Sequence, residues 1–300
     1  MSKTAASTGI TDTLTQKAAP AESPFRRFVR NFQRQKIGVA ALLIVLLLFV
    51  ISLIGPQLVS YDPAAPDYNA VLEAPSLKHW AGTDEFGRDI FSRIVSGTRI
   101  SLSVGLLSVL FGASIGTFFG LTAGYYGGRY DSMVMRVCDV LFAFPGILLA
   151  IAIIAILGPG LANVVVAVAI FTVPIIIRIV RGNTLSLKSM TYIEAARAIG
   201  VKDSAIIWKH IFPGTLSVVL VYLTMRIGSA ILIAASLSFL GMGAQPPTPE
   251  WGAMLSSGRG SMTSAPHVAI FPGLAILVTC LAFNVLGDSV RDALDRKITE

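Results

Sequence analysis

The sequence predicts an all-α integral membrane protein, and two observations carry this prediction. Apolar residues make up 54% of the 300 residues, whereas charged residues make up only 14%. A soluble domain of this length usually has about a quarter charged residues, and the mean hydropathy of this chain is +0.72. The apolar residues also collect in charge-free runs long enough to cross a bilayer, which takes about 20 helical residues.

Six transmembrane helices are expected along the chain. They cover residues 37–54, 100–124, 140–157, 161–177, 217–241 and 267–287. The first follows a polar segment without an apolar core, so we expect it to stay as an anchor and not to be removed as a signal peptide. Spans three and four share one charge-free stretch that is too long for a single helix. Gly158-Pro159-Gly160 is expected to divide that stretch with a tight turn.

The spans divide the chain into five segments. These are an N-terminal tail (1–36), the first transmembrane helix (37–56), an external segment (57–99), a core with the other five spans (100–290) and a C-terminal tail (291–300). A long internal loop, residues 181–216, interrupts the core between its third and fourth spans.

The distribution of Lys and Arg predicts that both termini are cytoplasmic. With the N-terminus inside, the inside segments hold 18 of these residues and the outside segments hold five. Cytoplasmic loops of membrane proteins carry an excess of Lys and Arg. The net charge of +7 is therefore a consequence of topology, and it does not indicate a nucleic-acid partner.

The internal loop contains a predicted helix. Thr191 and Glu194 have the spacing of a capping box, in which each side chain satisfies a free backbone N–H at a helix start. Ala195 and Ala196 favour helix, and Gly200 is a natural stop. Taken alone, this pattern is equally well explained by a capped surface helix with no further role.

A second short helix is expected to follow in the same loop. Asp203 or Ser204 is its predicted cap, and Pro213 is its predicted end, just before span five. The loop would then form a compact helix pair on the cytoplasmic side.

The sequence Glu194-Ala195-Ala196, followed by Gly200 and ending at Pro213, resembles the "EAA" loop of bacterial ABC importer permeases. The resemblance implies a type I ABC importer permease fold, in which this helix docks into a cleft of the ATPase subunit. Two positions depart from the family pattern, because Phe212 stands where Leu is usual and His210 where Ile is usual. The register is kept, but the local packing around His210 is in doubt.

Three further motifs resemble the dipeptide, oligopeptide and nickel permeases. They are residues 79–102, residues 236–255 and the end of the chain from 271 to 295. The resemblance covers about residues 37–297 and is nearest to glutathione and dipeptide permeases of the second, C/D type. It implies import of small peptides, with nickel chelates or longer oligopeptides as the alternative cargo.

The sequence shows no motif for catalysis or nucleotide binding, and we expect no catalytic residue, no metal site and no cofactor in this chain. It lacks the phosphate-binding G-x-x-x-x-G-K-[ST] pattern, and its histidines have no metal-ligand spacing. The resemblance implies that two ATPase subunits bind ATP and Mg²⁺. It also implies a second homologous permease, a periplasmic substrate-binding protein and a bacterial cytoplasmic (inner) membrane location. A stand-alone secondary transporter is the distant alternative.

Arg226 is the candidate pathway residue, because it is a charge inside predicted span five. An intramembrane Arg is costly and usually faces a cavity or a partner. One hypothesis is that it meets the carboxylate of a peptide. The alternatives are an ion pair with Asp139 or with a partner subunit, or snorkelling to the surface.

Four residues are candidates for a periplasmic rim that contacts the binding protein. Asp84 and Arg88 lie four apart, so the alternative is a simple pair on one amphipathic helix. Glu250 and Trp251 belong to the rim by resemblance, and the prolines around them are expected to stiffen the loop.

Small residues spaced by four along span two predict close helix packing. Gly112, Gly116 and Gly120 give the small-xxx-small pattern. The sequence leaves open whether the facing helix belongs to this chain or to a second subunit.

Overall fold

The fold is all-helical in the computed structural model, which describes residues 24–294. The α-helices are α1 Pro24–Gln33, α2 Lys36–Leu58, α3 Ile90–Tyr126, α4 Gly128–Phe142, α5 Gly146–Leu157, α6 Leu161–Lys188, α7 Thr191–Ala198, α8 Asp203–Ala205, α9 Phe212–Phe239, α10 Trp251–Gly258 and α11 His267–Leu294. A π-helical turn, Ile206–Ile211, joins α8 to α9, and a 3₁₀ turn, Arg259–Ser261, follows α10. The predicted fold class is confirmed. Most of the N-terminal tail and the end of the C-terminal tail lie outside the described residues.

The described residues contain five helices that are long and apolar enough to cross a membrane, and six spans result if the bent pair α4–α5 is one of them. α3 begins about ten residues earlier than predicted, because Asp89 caps it by accepting a hydrogen bond from the Ser92 N–H at 2.7 Å. Part of the predicted external segment is therefore helix. α2 and α11 also extend beyond their predicted ends.

The third predicted span, residues 140–157, is interrupted by a bend. α4 and α5 meet at an angle of 92° across residues 143–145. Pro145 has no N–H to continue the helical ladder, and it disfavours helical backbone at Phe144. The tight turn between α5 and α6 is present, with Gly158 at φ 88° and Gly160 at φ 145°.

Span five is longer than predicted because Pro213 does not end a helix. The chain continues from Asp203 to Phe239 as one apolar helical stretch. Pro213 lies at the start of α9, directly after the π-helical turn, where the Phe212 N–H bonds the Ile207 carbonyl five residues back. Proline is tolerated in the first turn of a helix, since its missing N–H is not needed there.

The glycine stripe of α3 packs against α6 of the same chain. A β-carbon on Gly112 would lie 2.7 Å from Cβ of Thr172, and one on Gly116 would lie 2.7 Å from Cβ of Ile176. Gly120 and Gly124 repeat the contact one and two turns further along α6. The contact advances along both helices in the same direction, so α3 and α6 run parallel. The sequence left open whether the helix that faces these glycines belongs to this chain or to a second subunit; it is α6 of this chain.

The helices form a bundle with two different ends. One end, which we call the rim, consists of residues 59–89 and 242–266 with α10. The other end, which we call the hairpin, consists of α7, α8 and the π-helical turn. Two hydrogen bonds tie the ends to α3: Tyr125 Oη donates to Asp203 Oδ1 of the hairpin at 2.5 Å, and Trp251 Nε1 of the rim donates to the Ile94 carbonyl at 3.1 Å.

Candidate functional site

The hairpin is held to the bundle by the apolar face of α7. Ile193 is fully buried and Ala196 is 8% exposed. They pack in one apolar cluster with residues of α3, α6 and the π-helical turn, namely Leu121, Tyr125, Ile176, Val180, Ile206, Ile207 and Ile211. The inner face of α7 is therefore covered by residues of the same chain.

The predicted capping box at the start of α7 is wrong. The N-cap position is occupied by Met190, and no side chain caps the helix. The Met190 carbonyl accepts from the N–H groups of Ile193 and Glu194, so Thr191 is the first helical residue and its hydroxyl is one position too late to cap. The register that buries Ile193 decides the start of the helix.

The outer face of α7 carries two of the predicted coupling residues, whereas the third residue of the triplet, Ala196, is buried on the inner face. Glu194 and Ala195 are exposed, and Gly200 ends the hairpin turn at φ 80°. No heavy atom lies within 4 Å of a β-carbon built on Gly200, and the neighbouring Ile199 is 81% exposed. An exposed face of small and apolar residues with one acid is suited to close contact with another protein.

Tyr125 is a hairpin residue that sequence reasoning missed. Its hydroxyl donates to Asp203 Oδ1 at 2.5 Å, and the Arg197 guanidinium lies 5.6 Å from its ring centroid. Asp203 therefore does not cap the second helix, whose N-cap is Lys202 without a side-chain bond. No local pattern at the end of α3 indicates this contact, because the partners are far apart in the sequence.

Two further family positions lie in the π-helical turn and at the start of α9. His210 is exposed, whereas the next residue, Ile211, is fully buried in the apolar cluster. Burial of Ile211 explains how the packing tolerates histidine at the preceding position. Pro213 is exposed on the same side of the bundle.

At the rim, Asp84 and Arg88 are paired but not on a helix. They lie in the loop before α3, with Arg88 Nε donating to Asp84 Oδ2 at 2.7 Å. Asp84 Oδ1 accepts from the backbone N–H groups of Phe86 and Arg88. The predicted amphipathic helix is wrong, because these side-chain bonds stabilise a turn. Both side chains are only 7% exposed.

Arg93, in the first turn of α3 next to the rim, is a residue that sequence reasoning missed. Its Nη1 donates to the Pro63 carbonyl at 2.6 Å and to the Pro247 carbonyl at 3.4 Å. Its Nε lies 3.5 Å from Asp84 Oδ2. One guanidinium thus joins both rim loops to α3, and its only signal in the sequence is a charge near a predicted span.

Glu250 and Trp251 are also buried at the rim, where they bond to Ser101 and Ile94 of α3. Glu250 caps α10 by accepting from the Ala253 N–H at 2.9 Å, and it accepts from Ser101 Oγ at 3.3 Å. Burial raises the pKa of the Glu250 carboxyl, and these hydrogen bonds act in the opposite direction. Trp251 is 1% exposed. The structure therefore brings together all four predicted rim residues, as the interior of the rim and not as its surface.

Arg226 lies near the midpoint of α9, away from both ends. The predicted alternative of an ion pair with Asp139 is wrong, because Asp139 Oδ1 pairs with Arg178 at 2.5 Å. Among residues 24–294, no group of three or more His, Cys, Asp or Glu side chains could hold a metal ion.

Two family models match different parts of the chain. Residues 116–300 match the family model of the binding-protein-dependent transport system inner membrane component. Residues 23–75 match the model of the N-terminal transmembrane domain of oligopeptide transport permease C.

Two curated relatives are similar to almost the whole chain. A glutathione transport system permease protein, GsiD, from Pectobacterium atrosepticum is 60% identical over 277 residues, which are 92% of each chain. The GsiD protein from Escherichia coli is 56% identical over 92% of this chain and 91% of its own. A structure of the MetNI methionine ABC transporter in inward facing conformations has a TM-score of 0.55 and 21% identity, and covers 68% of this chain and 97% of its own.

Proposed function

This chain belongs to the family of binding-protein-dependent transport system inner membrane components of bacterial ABC transporters, and on that premise we propose that it is the permease subunit of an importer for small peptides, glutathione foremost. Relatives that are 56–60% identical over nine-tenths of the chain and are named for glutathione transport support this cargo. The membrane, an ATPase and a substrate-binding protein follow from the family as its partners.

The hairpin is the proposed docking site of the ATPase. The observation that carries this assignment is the division of α7 into a buried inner face at Ile193 and Ala196 and an exposed outer face at Glu194 and Ala195. We propose that two ATPase subunits, on separate chains, bind ATP and Mg²⁺, and that their closure moves the hairpin. This chain is then not an enzyme.

The hairpin is joined to the spanning helices by a hydrogen bond to α3 and by the continuous chain into α9. Movement of α7 and α8 pulls directly on the end of α3 through Tyr125 and Asp203, and on α9 through the π-helical turn. The hairpin end then faces the cytoplasm and the rim faces the periplasm, as the charge distribution predicts.

A second, homologous permease completes the proposed pathway. In the most apolar 18 residues of α2, only 22% of the residues are buried. The corresponding share is 44% in the stretch Asp203–Phe239, which contains α9, and also in α11. Lipid covers part of this surface, and the second permease covers the rest.

The rim is the proposed receiver of the binding protein. Asp84, Arg88, Glu250 and Trp251 shape it from inside, whereas Leu77, 98% exposed, lies on its surface. Leu77→Cys is expected to crosslink to the binding protein, and Ala81→Cys, at a small buried position of the same segment, is the matched control. Equal crosslinking at both positions, or none at either in an active transporter, would contradict this geometry.

Reconstitution tests the proposed function directly. The chain, its second permease and its ATPase are placed in proteoliposomes, and uptake of labelled glutathione is measured with binding protein and ATP. We expect vanadate-sensitive uptake that needs every component, and loss of uptake in Glu194→Arg with the complex still assembled. Gradient-driven uptake by this chain alone would establish a secondary transporter instead, and uptake of nickel chelates or longer oligopeptides only would change the cargo.

A further inference from the structure

Arg226 is exceptional among three guanidinium groups on the spanning helices α6 and α9. Arg178 pairs with Asp139 at 2.5 Å, and Arg181 pairs with Asp131 at 2.5 Å. Within the part of the chain that the structure describes, Arg226 takes part in no ion pair, and its Nε is buried without a hydrogen-bond acceptor. A charge placed in an apolar environment without an anion is costly.

Arg226 lies far from both ends of its helix, where Arg side chains usually reach the membrane surface. It lies near the middle of α9, which spans Phe212–Phe239. At about 1.5 Å per residue, either end of the helix is about 20 Å away, far beyond the length of an Arg side chain. The positive charge therefore stays at the depth of the bundle's centre.

The surroundings of Arg226 place it beside the break between α4 and α5. Its guanidinium carbon lies 5.6 Å from the centroid of the Phe171 ring on α6. Phe171 in turn contacts the first residue of α5, since a β-carbon on Gly146 would collide with the ring. Non-helical backbone at membrane depth is found where it is buried in protein or lines a water-filled cavity. The ring attracts the cation but does not neutralise it.

We propose that Arg226 binds a carboxylate of the transported peptide, and that this contact makes the pathway select peptides with a free carboxylate. The inference rests on the proposed peptide import. A guanidinium presents parallel N–H donors that match the two oxygens of a carboxylate, which an ammonium or an amide does not reproduce. A pathway through an apolar bundle needs such a group where an anionic cargo leaves water.

The test compares one peptide in two forms, the free acid and the C-terminal amide, in the assembled transporter with its binding protein. The amides used are those that the binding protein is first shown to bind. The same binding protein serves every variant. Its own preference for acid or amide therefore cancels when the acid-to-amide ratio of uptake is compared between variant and wild type. In Arg226→Gln we expect the preference for the acid in uptake efficiency to fall at least about tenfold, which is the size of one charge-assisted hydrogen bond. Arg226→Lys is expected to keep part of the preference.

Arg178→Gln is the matched control, because it removes a guanidinium that already has a carboxylate partner in this chain. It is expected to change uptake of acid and amide by the same factor. Equal losses for both forms in Arg226→Gln, or recovery of uptake when a carboxylate of the second permease is also removed, would show that Arg226 serves subunit contact, and the proposal would fail.

A labelling experiment gives an independent readout. In a chain with Cys138 and Cys280 replaced by alanine, Arg226→Cys is expected to react during ATP turnover with a peptide that carries a thiol-reactive group in place of its carboxylate. Arg178→Cys is expected not to react. No labelling at position 226 while uptake continues would overturn the inference but leave peptide import standing, whereas no peptide uptake in the wild-type complex would overturn the proposed function itself.

Discussion

The rim and the hairpin deal with polar side chains in opposite ways. At the rim, Asp84, Arg88 and Arg93 are buried and satisfy one another and the backbone of two loops. At the hairpin, Ile193 and Ala196 are buried, and Glu194 on the opposite face of α7 is exposed. The buried ionic network fixes the conformation of the rim loops, and its polar groups find their partners within this chain. An apolar inner face with an exposed outer face leaves one side of the hairpin open to a partner.

The comparison has a functional consequence. Substitutions at the rim are expected to act on folding, because they break internal bonds. Substitutions on the outer face of the hairpin are expected to act on transport, because they touch nothing within the chain. Each prediction below tests one side of this contrast.

The largest expected effect is at the rim. Asp84→Ala leaves two buried guanidinium groups without their carboxylate, and removing one partner of a buried ion pair costs about 3–5 kcal/mol. The free energy of unfolding in mixed micelles measures the loss. Asp62→Ala, an exposed acid in the same segment, is the control and is expected to change stability by less than about 0.5 kcal/mol. Equal losses in both variants would mean that burial of the rim network inside the protein adds nothing to its stability.

The next effect is at the inner face of the hairpin. Ile193→Ala removes a fully buried side chain and is expected to cost about 2–4 kcal/mol. Hydrogen exchange of α7 and the π-helical turn should rise more than exchange at the rim. Glu194→Ala, one residue along on the outer face, is expected to leave exchange unchanged and to lower ATP-dependent uptake. If exchange increased equally at the two ends, the hairpin would not be a separate unit.

A smaller effect is expected for the polar tie of the hairpin. Tyr125→Phe removes the hydroxyl that donates to Asp203, and a hydrogen bond to a charged group contributes about 1.5–3 kcal/mol. Part of this is lost to solvent at the protein surface, so we expect about 1 kcal/mol. Tyr126→Phe is the matched control, since its side chain is 55% exposed. The two variants are compared by thermal unfolding of the purified chain.

The smallest effect is expected at the turn of the hairpin. Gly200 has φ 80°, a conformation that costs a residue with a β-carbon about 1 kcal/mol. No neighbour would collide with the added methyl group, so backbone strain is the whole effect in Gly200→Ala. Gly182→Ala, in the helical interior of α6 and equally free of neighbours, is expected to be neutral or stabilising. A loss at Gly182 as large as that at Gly200 would contradict the strain argument.

The sequence by itself located the long apolar helices, although not all of their bounds. Hydropathy and charge act residue by residue, so the runs that form α2, α6 and α11 can be read without knowing their neighbours. The motif of the hairpin also depends on local spacing. The resemblance pointed to the segment that forms α7, although the sequence misplaced the helix start by one residue and did not separate the exposed Glu194 and Ala195 from the buried Ala196.

Only the tertiary structure decided which polar residues are buried and what they contact. Arg93 bonds to Pro247, 154 residues away, and Tyr125 bonds to Asp203, 78 residues away. The glycines of α3 meet α6 of this chain. The lack of an ion-pair partner for Arg226 among the described residues likewise became visible only in the folded bundle, as did the bend between α4 and α5. Such features depend on side chains that are distant in sequence, and a local pattern carries no information about a partner that only the folded bundle brings within reach.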